Sequence, residues 1–235
     1  MKMLGCFTVM AMLAAAPGFA NDQTKANILA QSQGARHSFA GASVSLGLAY
    51  AGTRNFDENV ATTDNFFSFN QADATGSTLR PRLELSYGFD LGQNLNLSLS
   101  GFRDFGVAKT EVTQATFFQD AVYRSLRDTA GITIAPGVYL DDSTLFYAKF
   151  GATTAVQSYS RPNFDIALNT AVSGTVFGIG VKKMVGAHRF VGIEFSHSDY
   201  GMNRVGSAVP LGIYEVNVKS HMVEDSIVAS VGYQF

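Results

Sequence analysis

Ser226-Ile227-Val228-Ala229-Ser230-Val231-Gly232-Tyr233-Gln234-Phe235 closes the chain, and its alternation decides the fold. Ile227, Ala229, Val231, Tyr233 and Phe235 fall on one parity, while Ser226, Ser230, Gly232 and Gln234 fall on the other. Successive side chains of a β-strand point to opposite faces, so a period of two is a strand signature. A soluble sandwich turns its large apolar face inward and gives water a face rich in Lys, Glu, Thr and Gln. Here the second parity is small: Ser, Gly and Ala. A narrow barrel in lipid needs that inversion, with small and polar groups filling the lumen and large apolar groups outside.

The same split recurs upstream in Ala42–Tyr50, Pro81–Phe89, Leu95–Ser100 and Ile132–Leu140. It returns in Phe146-Ala148-Phe150 against Tyr147-Lys149-Gly151, in Phe177-Ile179-Val181 against Gly178-Gly180-Lys182, and in Val191-Ile193-Phe195 against Gly192-Glu194-Ser196. With the closing segment these make eight strands. The expectation is an all-β protein: a single eight-stranded antiparallel up-and-down transmembrane β-barrel over residues 38–235. Three connections read as tight turns, at Asp90–Asn94, Asp141–Ser143 and Gly186–His188. Four read as long loops, at about 51–78, 104–128, 157–173 and 201–219. Short periplasmic turns alternating with long outer loops is the barrel rule.

Composition agrees. Only 15% of residues are charged against 46% hydrophobic, below the roughly 25% charged of an ordinary soluble domain. Lys2, the apolar run Met3–Ala16 and Pro17-Gly18-Phe19-Ala20 read as a secretory signal peptide over 1–20, cleaved after Ala20. Residues 21–37 are then a polar periplasmic lead. Cys6, the one cysteine, lies in the signal, so the mature chain has no disulfide, cysteine nucleophile or Cys-ligated metal. No metal or cofactor is expected. The formal charge of −2, without any dense basic run, excludes a nucleic-acid partner.

Five charges sit on the small-residue parity and are placed in the lumen: Arg82, Glu84, Lys149, Lys182 and Glu194. Unpaired charges there are costly, so they should pair, with Glu194 meeting Lys149 or Lys182. The bland reading is a network that plugs the lumen; the sharper one is a gate or ion path. In the closing strand, Ile227, Ala229, Val231, Tyr233 and Phe235 form an insertion signal for the outer-membrane assembly machinery, read by strand addition to a sheet edge. The outer loops carry aromatics at Phe66, Phe67, Phe69, Phe117, Phe118, Tyr123, Tyr159, Phe164, Tyr200 and Tyr214. They suit contact with an extracellular or host ligand, or the interfacial girdle.

The histidines carry little chemistry. His37 and His188 fall at periplasmic ends and His221 near the outer rim. Glu194-Phe195-Ser196-His197-Ser198-Asp199 invites a hydrolase reading. Ser196 and Ser198 flank His197 on the opposite parity, however, so one strand face does not present Ser and His together. No catalytic residue is assigned.

Two stretches carry a family likeness. Val176-Phe177-Gly178-Ile179-Gly180-Val181-Lys182-Lys183, a tight turn, and Val191–Gly201 resemble the strand 6 to strand 7 hairpin of opacity-type and OmpA-like eight-stranded outer-membrane barrels. Glu194, Asp199, Tyr200 and Gly201 match that pattern, whereas Phe195 and His197 depart from it; the ending Val231–Phe235 is similar too. The resemblance implies residence in the bilayer of the Gram-negative cell outer membrane and a non-enzymatic surface protein, with members acting in adhesion, envelope integrity or serum resistance. A small pore of porin type and a lipid A-modifying hydrolase stand as alternatives.

Overall fold

The computed structural model describes residues 39–62, 68–70, 74–92, 94–113, 121–161, 166–208 and 216–235. The stretches read as signal peptide and lead, with His37, lie outside the described residues, as do Phe66, Phe67, Phe117, Phe118, Phe164 and Tyr214. The strands are β1 (Gly41–Thr62), β2 (Ser68–Asn70), β3 (Ala74–Asp90), β4 (Leu95–Asp104) and β5 (Val107–Thr113). They continue as β6 (Ala121–Asp141), β7 (Thr144–Arg161), β8 (Ile166–Met184), β9 (Arg189–Ala208) and β10 (Val216–Gln234).

All pairings are antiparallel, and β10 returns to β1 through Val44↔Tyr233, Leu46↔Val231, Leu48↔Ala229 and Tyr50↔Ile227. The ring thus closes on itself. β2 folds back on β1, and β4 and β5 are two halves of one stave, both paired with β6. Among the described residues the wall therefore has eight staves.

The break between β4 and β5 has a chemical cause. The Phe105 amide donates to the Pro81 carbonyl at 2.8 Å, but Pro81 has no N–H to return on that side. The β3–β4 ladder stops at Arg82↔Asp104. The chain then turns at Gly106 with φ +121°, a conformation that favours glycine.

On the outside, Leu46, Leu48, Tyr50, Leu85, Phe150, Phe177, Ile193, Phe195, Ile227 and Val231 are exposed. A continuous belt of exposed large apolar residues is a lipid-facing surface. The three short turns lie where the sequence puts them. The four long loops do not. β1 runs on to Thr62, β3 starts at Ala74, β6 at Ala121, and β9 reaches Ala208. Strands of 17 to 22 residues far exceed the roughly 9–11 that span a bilayer. The barrel continues beyond the belt, and there its interior gains an apolar cluster: Ala108, Leu126, Ala155, Val172, Tyr200 and Met222 pack together inside, beside the buried polar side chains of Asn55, Gln157 and Ser220.

Candidate functional site

The lumen holds two storeys of paired charge. In the lower, the Glu194 carboxylate (β9) accepts from Lys149 Nζ (β7), from Arg82 Nη1 (β3) at 3.3 Å and from the Tyr147 hydroxyl at 2.9 Å. Lys182 (β8) donates instead to Glu84 (β3) at 3.1 Å. Of the two partners considered for Glu194, Lys149 is the one it meets. The Arg82 guanidinium and the Lys149 ammonium also lie over the Phe102 ring, 4.6 and 5.2 Å from its centroid, so both cations are held on a π-face as well as by carboxylates.

The upper storey was not singled out from sequence. Arg82 makes a bidentate pair with Asp104 at 2.5 and 2.9 Å. Asp104 also meets Arg80 at 3.2 Å, and Arg80 donates to Glu224 at 2.5 Å and to Thr129 at 3.4 Å. Asp104 and Arg124, read as loop charges, are both 1% exposed and point inward. The Arg124 guanidinium lies 5.6 Å from the Tyr159 ring centroid. Asp104 thus joins the storeys into one network in which Arg80, Arg82, Lys149 and Lys182 face Glu84, Asp104, Glu194 and Glu224. Four cations meet four carboxylates, and this buried cluster is electrically balanced.

Aromatic rings fill the space the charges leave. The tip of the Tyr147 ring lies against Gly180, where an added Cβ would sit 2.5 Å from its Cζ, and Phe190 covers Gly232 at 2.2 Å. Only glycine permits that approach. Lower still, Phe39 enters the mouth at the short-turn end beside Leu145, Met184 and Phe190, with its amide on the Tyr139 hydroxyl at 2.9 Å. Two voids beside the lower storey each measure about 10 Å³, close to the room one water needs. An eight-stranded interior is just wide enough for side chains to fill, and beside the lower storey they leave room for little more than a water in each void.

The aromatics expected on loops divide differently. Tyr123 is exposed on β6, whereas Tyr159 on β7 and Tyr200 on β9 are strand residues buried at 3% and 2% exposure. They belong to the interior of the barrel extension. Phe69 lies on β2. In β10, Ile227, Val231 and Tyr233 face out, and Phe235, just past its end, is exposed as well. His188 lies in the turn before β9, with Nδ1 3.0 Å from the Gln234 carbonyl. His197 and His221 are on the outer wall, hydrogen-bonded to Asp225 and Asp199 at 2.6 and 2.8 Å. None of the described groups brings three or more His, Cys, Asp or Glu side chains together as metal ligands would need.

Residues 8–235 match the family model described as the outer membrane protein beta-barrel domain. The chain belongs to that family. It is an outer-membrane protein, embedded in the lipid bilayer by the belt described above. No curated protein sequence matches it. Among solved structures, the outer membrane protein OprG from Pseudomonas aeruginosa is 12% identical over 83% of this chain and 96% of its own, with a TM-score of 0.54. Neisserial surface protein A is 14% identical over 83% and 98%, TM-score 0.42. The attachment invasion locus protein Ail of Yersinia pestis is 13% identical over 80% and 99%, TM-score 0.39. At these identities the likeness concerns the fold alone.

Proposed function

We propose that this barrel is a sealed, non-enzymatic surface protein. Its lumen is a structural plug, and its extramembrane extension with the connecting loops contacts ligands outside the cell. The observation that carries this reading is the balanced four-against-four network, packed with Tyr147, Phe102 and Phe190. A filled lumen leaves the outer end as the surface available for function. The same reading gives the outward residues Ile227, Ala229, Val231, Tyr233 and Phe235 the role of the pattern read by the assembly machinery during insertion.

Two measurements test it together. The purified mature protein in planar bilayers should be electrically silent. Cells displaying the protein should bind immobilised glycans or matrix proteins, and lose that binding when segments 63–67, 114–120, 162–165 and 209–215 are replaced by Gly-Ser turns. Stable channel openings that shift in size with Glu194→Gln would replace this reading with a pore. Binding that survives the loop exchange would remove the surface role.

A further inference from the structure

On β4, β5 and β6 the outer wall carries basic side chains that take no part in the lumen network. Two irregularities bring them together. β4 ends at Asp104 and the chain turns at Gly106. On β6 the register with β7 slips between Arg127 and Ala130, where Asp128 takes φ 55°. Strict alternation from Thr133 and Ala135 would point residue 127 into the lumen. The bulge instead exposes Arg127 and Asp128 side by side on the outside. Arg103 donates to Asp128 at 3.2 Å, and its guanidinium lies 5.6 Å from the Phe105 ring centroid. Arg127 donates to Asn169 at 3.5 Å. Lys109, opposite Ser125, is exposed on β5.

Charge and place together define an occupant. Three cations stand against Asp128 and, next outward on β5, Glu111. Residues 75–79 of β3, 154–158 of β7 and 169–175 of β8, the neighbouring wall, include no charged residue. The patch is therefore positive, and among the described residues neither Arg127 nor Lys109 meets a carboxylate. Exposed Leu99, Phe105, Val107 and Ile132 border it, so it straddles the end of the lipid-facing belt, where headgroups lie. A soluble polyanion would match the charge but leave those apolar neighbours uncovered, whereas a lipid satisfies both. The arginine fork fits the oxygens of a phosphate.

Taking from the reading above that the long-loop end faces out of the cell, we propose that Arg103, Arg127 and Lys109 form a docking site for the phosphate of an outer-leaflet glycolipid, with Phe105 and Val107 against its acyl chains. Asp128 competes with the phosphate for Arg103, so this acid sets the affinity of the site. Asp128→Asn separates that role from a merely structural one. Asparagine has nearly the same shape and accepts the left-handed backbone, yet it removes the competing charge and leaves Arg103 to the phosphate.

The test uses the mature protein in detergent micelles at constant ionic strength, with native mass spectrometry and bisphosphorylated lipid A as the probe. Each cation near an anionic headgroup contributes about fivefold, so R103Q/R127Q should weaken binding about twenty-fivefold. Should that double variant misfold, as judged by gel mobility shift, Lys109→Gln alone should weaken binding about fivefold. Asp128→Asn should tighten it several-fold. Lys183→Gln, at the short-turn end of the belt, should change it by less than about twofold. Any of four outcomes would overturn the site: undiminished binding in the folded arginine or lysine variants, no tightening in Asp128→Asn, equal affinity for dephosphorylated lipid A or inorganic phosphate, or tighter binding of a soluble sulfated oligosaccharide. None of these ratios depends on conductance or on loop exchange, so failure of the site and failure of the surface role are distinguishable.

Discussion

Glu194→Gln removes one carboxylate from a balanced network and leaves four cations against three acids. Arg82 keeps its bidentate Asp104, and the Tyr147 hydroxyl can still donate to the new amide oxygen. Lys149 keeps a neutral acceptor, the Phe102 ring 5.2 Å away and the more distant attraction of Glu84, which lines the same void. Removing one partner of a buried pair costs about 3–5 kcal/mol. Because glutamine retains an acceptor and is nearly isosteric, the cost here should be near the lower end, about 3 kcal/mol. The chain contains no tryptophan, so urea unfolding from lipid vesicles is best followed by circular dichroism and the gel mobility shift of folded barrels. With a slope of about 1–3 kcal/mol per molar urea, the midpoint should fall by at least about 1 M. Lys149→Met added to Glu194→Gln should recover part of the loss, giving a coupling of about 2 kcal/mol in the double-mutant cycle. A loss below about 1 kcal/mol, or strictly additive effects, would show that Lys149 and Glu194 are not a buried, mutually dependent pair.

Two further outcomes follow from the packing and the turns. Gly180→Ala places a methyl 2.5 Å from the Tyr147 ring and 2.9 Å from the Ile193 carbonyl and should cost about 1–3 kcal/mol by overpacking; in the Tyr147→Ala background the share due to the ring should be relieved while the carbonyl contact remains, and equal cost in both would refute the ring contact. In the β6–β7 turn the Ser143 amide and hydroxyl both donate to Asp141 at 2.8 Å, and the amide bond foremost holds that carboxyl down at about 2. Because the folded value lies below the unfolded one, the stabilisation is fully present above about pH 4 and is lost as pH falls through about 2. An NMR titration that finds Asp141 near 4 would contradict the turn geometry.

The membrane part of the fold was legible because lipid and lumen sort residues strictly by parity. Ile193 and Phe195 face out and Glu194 and Ser196 face in, and no other arrangement on β9 avoids placing a carboxylate in lipid. The extension beyond the belt was read as loop because the outward face turns polar there while the inward face mixes apolar with polar residues. On β7 and β8 the outward residues become Thr154, Ser158, Ser173 and Thr175, while Ala155 and Val172 point in. That is the ordinary pattern of a soluble strand. Read along the chain, the change of solvent looks like the end of a strand, although the hydrogen-bonded ladder between β7 and β8 continues without a shift to Arg161↔Ile166.

The site was half legible for a related reason. Carrying each strand's inward parity a few residues outward from Arg82, Ser100 and Ser226 leads to Arg80, Asp104 and Glu224, so the upper storey lay within reach of the same argument that found the lower. Arg124 did not. On β6 the inward positions in the belt are the odd ones, Thr133 and Ala135, but Leu126 and Arg124 are buried on even positions. Between them the register with β7 shifts from Arg127 to Ala130, and Asp128 takes φ 55°. A bulge adds one residue and exchanges the faces. No periodicity in the sequence marks it, although aspartate is one of the few non-glycine residues that visits a left-handed backbone. A parity argument is therefore valid only up to the first bulge, and the charges beyond it have to be found from the register of the neighbouring strand.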